Sequence, residues 1–98
     1  MTRLVRRDAN HAAVVNALRA CGCSVWDASR VGGGFPDLVV GRETEYGPVT
    51  YLLEVKDGTL PPSRRQLNDA ERKWHQDHRG QVAVVLSVDE ALRACELT

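Results

Sequence analysis

Tyr51-Leu52-Leu53-Glu54-Val55-Lys56 is an apolar stretch that ends on two opposite charges. Side chains alternate along a strand, so Leu52, Glu54 and Lys56 share one face while Tyr51, Leu53 and Val55 share the other. A carboxylate and an ammonium therefore sit side by side, about 7 Å apart at the backbone. Charges in such a place cost free energy unless they are paired or bound to a metal. Upstream, Asp37-Leu38-Val39-Val40-Gly41 reads as a second buried strand, entered directly from Pro36 and the glycine run Gly32-Gly33-Gly34. Val49 to Lys56 is its partner, and the polar segment Glu43 to Pro48, with a Gly-Pro pair, suits the hairpin loop between them. A hairpin of this register lands Asp37 near Glu54 and Lys56.

Two carboxylates converging on one point repel each other, and a hard divalent cation relieves the repulsion. Magnesium prefers oxygen ligands and keeps several waters, which suits phosphodiester hydrolysis. Lys56 would then orient or deprotonate the attacking water, or stabilise charge on the phosphate. The Glu-Val-Lys triplet by itself is better explained by an ion pair at a sheet edge, since so short a motif occurs by chance. Pro36-Asp37 on the preceding strand, with the glycine turn before it, tips the reading towards chemistry.

Outward from the hairpin, Asp8 to Cys21 has the period of an amphipathic helix, with Val14, Leu18 and Cys21 on its inner face, Asp8 as its cap and Gly22 as its stop. Cys23 to Ala28 is a short strand candidate. After Asp57-Gly58 and Leu60-Pro61-Pro62, Ser63 is expected to cap a helix running to about His78, with Leu67, Ala70 and Trp74 turned to the sheet. Val82-Ala83-Val84-Val85-Leu86 is a continuous apolar run of the kind buried on both faces, and Ser87 caps a last helix through Cys95. The order is α-β-β-β-α-β-α. The expected fold class is α/β, with one domain over residues 1–98 and a central mixed four-stranded sheet flanked by helices.

Composition narrows the classes. The chain has 98 residues, 43% hydrophobic and 27% charged, ordinary values for one globular domain with a modest core. No apolar run approaches the roughly 20 residues that span a bilayer. The charged opening residues are not followed by the apolar stretch of a secretory signal, so the expectation is a cytoplasmic protein with no membrane partner. Cys21, Cys23 and Cys95 form neither a disulfide framework nor a metal knuckle. Lys and Arg number 13 and Asp and Glu number 13, so a plain nucleic-acid-binding module, which carries a net basic surface, is disfavoured. The basic residues are grouped, however: Arg3, Arg6 and Arg7, then Arg64, Arg65, Arg72 and Lys73. Arg30 and Arg42 flank the strand that starts at Asp37. His11, His75 and His78 lack the spacing of a shared metal site, and Trp74 reads as core. The glycine run leads into a strand rather than a helix, so it is no phosphate loop.

The ordered set Gly33-Gly34-Phe35-Pro36-Asp37-Leu38-Val39-Val40-Gly41 and Leu53-Glu54-Val55-Lys56-Asp57-Gly58 resembles the PD-(D/E)xK nuclease superfamily. It is most like its virus-type replication–repair nuclease (VRR-NUC) branch, common in phage genes. The resemblance covers most of the chain and implies a restriction-endonuclease-like core. It implies that Asp37 and Glu54 bind metal through their carboxylates, that the carbonyl of Val55 adds a ligand, and that Lys56 is the catalytic lysine. Many relatives carry a Glu on the first helix near the metal; this chain offers Asp8 and Asn10. Some carry a Gln on the helix after the lysine strand; here Glu71 takes that place, with Gln66 earlier.

The function expected from residues and resemblance together is a Mg²⁺- or Mn²⁺-dependent deoxyribonuclease, an endonuclease acting on DNA, with branched or flapped substrates implied by the family. Arg30, Arg42, Arg64 and Arg65 are the candidate nucleic-acid contacts. A homodimer is expected because one small module offers less surface than the roughly 1,000–2,500 Å² that specific protein–DNA interfaces bury. The competing class is a catalytically silent binding or assembly module of the same fold. Magnesium binding that depends on Asp37 and Glu54 separates the two.

Overall fold

Leu38 pairs with Leu53 and Val40 with Tyr51, and all four side chains are buried, so the hairpin read from the sequence is the centre of the molecule. The structure, a computed structural model, describes residues 5–98, with side chains from Asn10 onward. The elements run α1 (Val5–Ala20), β1 (Ser24–Asp27), β2 (Leu38–Thr44), β3 (Gly47–Val55), a 3₁₀ turn (Pro62–Arg64), α2 (Asp69–Asp77), β4 (Ala83–Val85) and α3 (Val88–Ala94). The sheet order is β1-β2-β3-β4, antiparallel except for the parallel β3–β4 pair. This is the expected mixed four-stranded α/β architecture, in the expected element order. A parallel pair needs a crossover connection, and the segment holding α2 supplies it.

The hairpin extends further than the sequence suggested. Pairing continues to Thr44 with Gly47, so Glu45-Tyr46 form a two-residue turn in place of the Glu43–Pro48 loop. Gly47 has φ +111°, which suits the turn exit. The Thr44 hydroxyl donates to the Gly47 carbonyl (2.7 Å) and accepts from the Tyr46 N–H (3.1 Å), closing it.

One face of the sheet carries the core. Val14 and Leu18 of α1, Ala91 of α3 and Cys95 after it pack with Leu38, Val40, Tyr51, Leu53 and Val85. Among the described side chains of α1, His11, Val14 and Leu18 are the buried ones, spaced by three and four. Cys21, expected on that face, is exposed because the helix ends at Ala20; Cys23, past the turn at Gly22, is buried instead. Asp8 lies inside α1 rather than capping it, and its side chain, with Arg3, Arg6 and Arg7, is outside the described residues.

Three further expectations are corrected. Asn68, not Ser63, caps α2: its side chain accepts from the Glu71 N–H (2.8 Å) while Glu71 accepts from the Asn68 N–H (2.9 Å). This reciprocal capping box starts the helix after the turn at Pro62–Arg64. α2 has no fully buried residue, and Trp74 rests edge-on against Phe35 (centroids 5.3 Å) and stacks on His78 (4.6 Å) rather than on the sheet core. Finally, β4 is an edge strand: Val85 is buried but Val84 is open, so the apolar run is covered on one face only. Ser87 does cap α3, accepting from the Glu90 N–H.

Candidate active site

Asp37 stands one residue before β2, where continuing the register sets it opposite Glu54. It is tied on both sides. Its carbonyl accepts from the Ala28 N–H (2.7 Å), and its carboxylate accepts from the Val55 N–H (2.9 Å), replacing the next rung of the ladder. The N–H and C=O of one strand residue point to the same side. The Val55 carbonyl therefore also faces the Asp37 side, beyond the end of β2.

Glu54 is the unusual residue. It is 2% exposed, its Oε1 is buried with no hydrogen-bond partner among the described residues, and its Oε2 is 3.7 Å from Lys56 Nζ. Burial first, then the charges of Asp37 and Glu71, push its pKa up to about 9, against the pull of Lys56. A carboxylate in this setting keeps a proton unless more positive charge arrives. Lys56 Nζ is bonded to Glu71 Oε1 (2.9 Å), the same oxygen that caps α2. Burial works to raise the Glu71 carboxyl, but the bonds from Lys56 and the Asn68 N–H outweigh it and hold the pKa below the ordinary value.

Neighbouring elements hold these groups in place. The Asn10 amide of α1 donates to the Lys56 carbonyl (2.8 Å) and the Leu86 carbonyl (3.4 Å), fastening the end of β3 to that of β4. Of the two α1 residues raised by the sequence, Asn10 thus reaches the strand end, through the backbone. Gly34, at φ +84°, lets α2 close on the loop before Asp37: a Cβ there would lie 2.2 Å from the Ala70 carbonyl oxygen. Asp57 accepts from the Thr59 N–H and hydroxyl in a tight turn, and Leu60 and Arg64 follow it along the cleft wall.

The result is an open cleft of about 580 Å³ lined by Asp37, Glu54, Val55, Lys56, Asp57, Leu60, Arg64 and Glu71. Asp37, Glu54, Val55 and Lys56, named from the sequence, meet here, and so does Arg64. Arg65 spends its guanidinium on the Gly58 carbonyl (2.8 Å). Arg42 is five residues along β2 from Asp37, roughly 17 Å by strand rise, and lines a separate depression with Tyr51 and Glu96. Arg30 is exposed in the loop between β1 and β2. His75 was set aside in the sequence for lacking the spacing of a shared metal site. Its Nε2 is buried without a hydrogen-bond partner among the described residues, and burial lowers its pKa, with Glu71 opposing and His78 and Lys56 adding to the fall. Its place four residues after Glu71 on one helix face was the available signal.

Among the described residues, no three His, Cys, Asp or Glu side chains form a metal-holding group by themselves. The donors that do converge are two carboxylates and a strand-end carbonyl. That all-oxygen set fits a hard cation that keeps most of its waters, and the unpartnered Glu54 Oε1 is the atom such a cation would satisfy.

The chain is similar to a solved structure of a VRR_NUC domain, with a TM-score of 0.62 and 26% identity over 90% of this chain and 91% of that one. No family profile and no curated protein matches. The fold is therefore that of a nuclease-type domain, as the motif resemblance implied.

Proposed function

We propose that this protein is a metal-dependent endonuclease that hydrolyses DNA phosphodiester bonds at the Asp37–Glu54–Lys56 cleft. The observation that carries the reading is Glu54: a carboxylate buried at a strand end, with one oxygen unpartnered, beside Asp37 and Lys56. Natural folds rarely keep such a group without a ligand to neutralise it. Asp37, Glu54 and the Val55 carbonyl would hold Mg²⁺ or Mn²⁺, which when bound supplies Lewis acidity and a nucleophilic water. Asp37 is aimed by its bond to the Val55 N–H. Lys56 presents its ammonium to the phosphate or the attacking water, steadied by Glu71. Arg64 in the cleft binds a flanking phosphate; Arg30, exposed in the loop between β1 and β2, with Arg42 and Arg65, remains a candidate for more distant backbone contacts. The working unit is a homodimer.

A silent module of the same fold is favoured by one feature, the closed Lys56–Glu71 bond. The deciding experiment is a cleavage panel of duplex, single-stranded, flapped and four-way DNA with Mg²⁺ or Mn²⁺. Cleavage that disappears in Asp37→Asn and Glu54→Gln supports the enzyme. Intact binding without any cleavage supports the module.

A further inference from the structure

Trp26 is 72% exposed on β1, an edge strand, and it has no ring partner among the described residues. Its neighbours set its face. Val25 pairs with the buried Val40 and packs on the core, so Trp26, paired with Val39, which in turn pairs with Leu52, stands on the opposite face. That is the face of Glu54 and Lys56. Asp37 is two residues before Val39, which makes it a diagonal neighbour of Trp26 at about 7–8 Å. A large flat ring therefore projects into solvent beside the candidate catalytic carboxylate. Val39 and Leu52, both half-buried, floor the space between.

Charge around the ring is suited to a phosphate chain. The Arg19 guanidinium lies on the outer edge of β1, donating to the Val25 carbonyl (3.0 Å), and Arg30 is exposed four residues after Trp26. Arg64 is among the residues that line the cleft. Of the two carboxylates near Trp26, Asp37 faces the cleft, while Asp27 is turned to the core face, where its carboxylate takes the Ser29 N–H and hydroxyl and lies 3.9 Å from His11 Nε2. A strand passing Arg19 and Arg30 towards Arg64 would cross the cleft with a base over the indole. A base offers a π-face for such stacking only when it is out of the duplex stack.

We infer that Trp26 is a base-stacking residue that holds one unpaired nucleotide beside the scissile phosphate, so that the site takes single-stranded or splayed DNA in preference to intact duplex. The inference rests on the nuclease reading for the word scissile, while the stacking contact is tested without cleavage. The probe is fluorescein-labelled oligothymidylate, titrated by anisotropy in EDTA, with a blunt duplex of equal length as control. Trp26→Ala should weaken oligothymidylate binding about tenfold, Trp26→Phe should recover most of it, and duplex binding should not change. Intrinsic fluorescence of a Trp74→Phe protein, which keeps Trp26 as the single tryptophan, should be quenched by the same oligonucleotide. Equal affinity of wild type and Trp26→Ala for oligothymidylate overturns the inference. So does an equal loss on duplex and single strand, or a shift in sedimentation from dimer to monomer with binding unchanged, which would make the face a contact between copies. If selective stacking is seen but no DNA is cleaved with Mg²⁺ or Mn²⁺, the nuclease reading fails and the stacking contact stands.

Discussion

Lys56 touches two carboxylates unequally, at 2.9 Å from Glu71 Oε1 and 3.7 Å from Glu54 Oε2. If its ammonium serves the phosphate or the water, Lys56→Ala should lower cleavage about 100-fold or more. It should keep the fold by circular dichroism and most of the Mg²⁺ affinity by calorimetry. Undiminished cleavage would remove Lys56 from the mechanism. Glu54 makes a prediction about stability in the metal-free protein. Its carboxyl goes from an ordinary 4.5 to about 9 on folding, so between those values the folded state holds a proton that the unfolded state has released. Stability contributed in acid is therefore lost as pH rises through this window. Glu54→Gln, which cannot ionise, should flatten the slope in EDTA. It should raise Tm at pH 8 by about 4 °C or more, equivalent to about 1 kcal/mol, and have little effect near pH 4. A Tm lowered by the substitution at pH 8 would mean that Glu54 is ionised and paired in the fold. Arg64, if it meets one phosphate, should on replacement by Ala weaken all DNAs alike and reduce the salt slope by about 1.

At the scale of elements, α2 matters because Glu71, Trp74 and His75 all lie on it, and it is fixed at two points. One is the capping box of Asn68 and Glu71. Asn68→Ala should cost about 0.5–2 kcal/mol in denaturant unfolding. Because the box also shapes Glu71, cleavage should fall with it, whereas Asp69→Ala, an exposed neighbour, should leave cleavage unchanged. The other is Gly34, where a Cβ would collide with the Ala70 carbonyl and the backbone φ is +84°. Gly34→Ala should destabilise by about 1–3 kcal/mol. Gly33, also at positive φ but with open space around it, should cost less on the same change. A Gly34→Ala protein as stable as wild type would show that α2 is not seated on the loop. These two points also mark where the sequence was and was not legible. Period-2 alternation separated Tyr51 and Leu53 from Leu52 and set Glu54 and Lys56 together, because register and pleat leave little choice, while the structure added that Tyr51 and Leu53, with Leu38 and Val40, face the core. The cap of α2 was misplaced, since Ser63 with Gln66 and Asn68 with Glu71 both fit the capping-box spacing, and the sequence alone does not choose between them. β4 was read as doubly covered because an apolar run does not say whether a neighbour lies on each face. Trp26 drew no attention in sequence, as its exposure follows from which edge of the sheet β1 occupies.

The whole molecule measures 40 × 29 × 23 Å and carries no net charge, which makes its grip on DNA the open problem. Among the described residues, the group Arg64, Arg65, Arg72 and Lys73 does not make a free basic tract: Arg72 is paired with Asp69 (2.9 Å), Lys73 with Asp77 (2.8 Å), and Arg65 is bonded to the Gly58 carbonyl. The accessible surface is 6297 Å². A typical specific DNA interface of about 1,000–2,500 Å² would take between about a sixth and two-fifths of it. One copy would have to spend the cleft face and more. Two copies related by a two-fold axis double the available contact and set two clefts on a symmetric or branched DNA, without needing a basic total on either. The competing arrangement is a monomer that works inside a larger replication complex. Sedimentation at micromolar concentration, with and without four-way DNA, should give the mass of two chains, at least on the DNA. Mixing wild-type protein with an excess of Lys56→Ala should then depress paired cutting more steeply than it depresses nicking, because most dimers would hold one silent site. A monomeric mass in both conditions with full cleavage, or paired and single cuts falling together in the mixture, would show that one chain works alone.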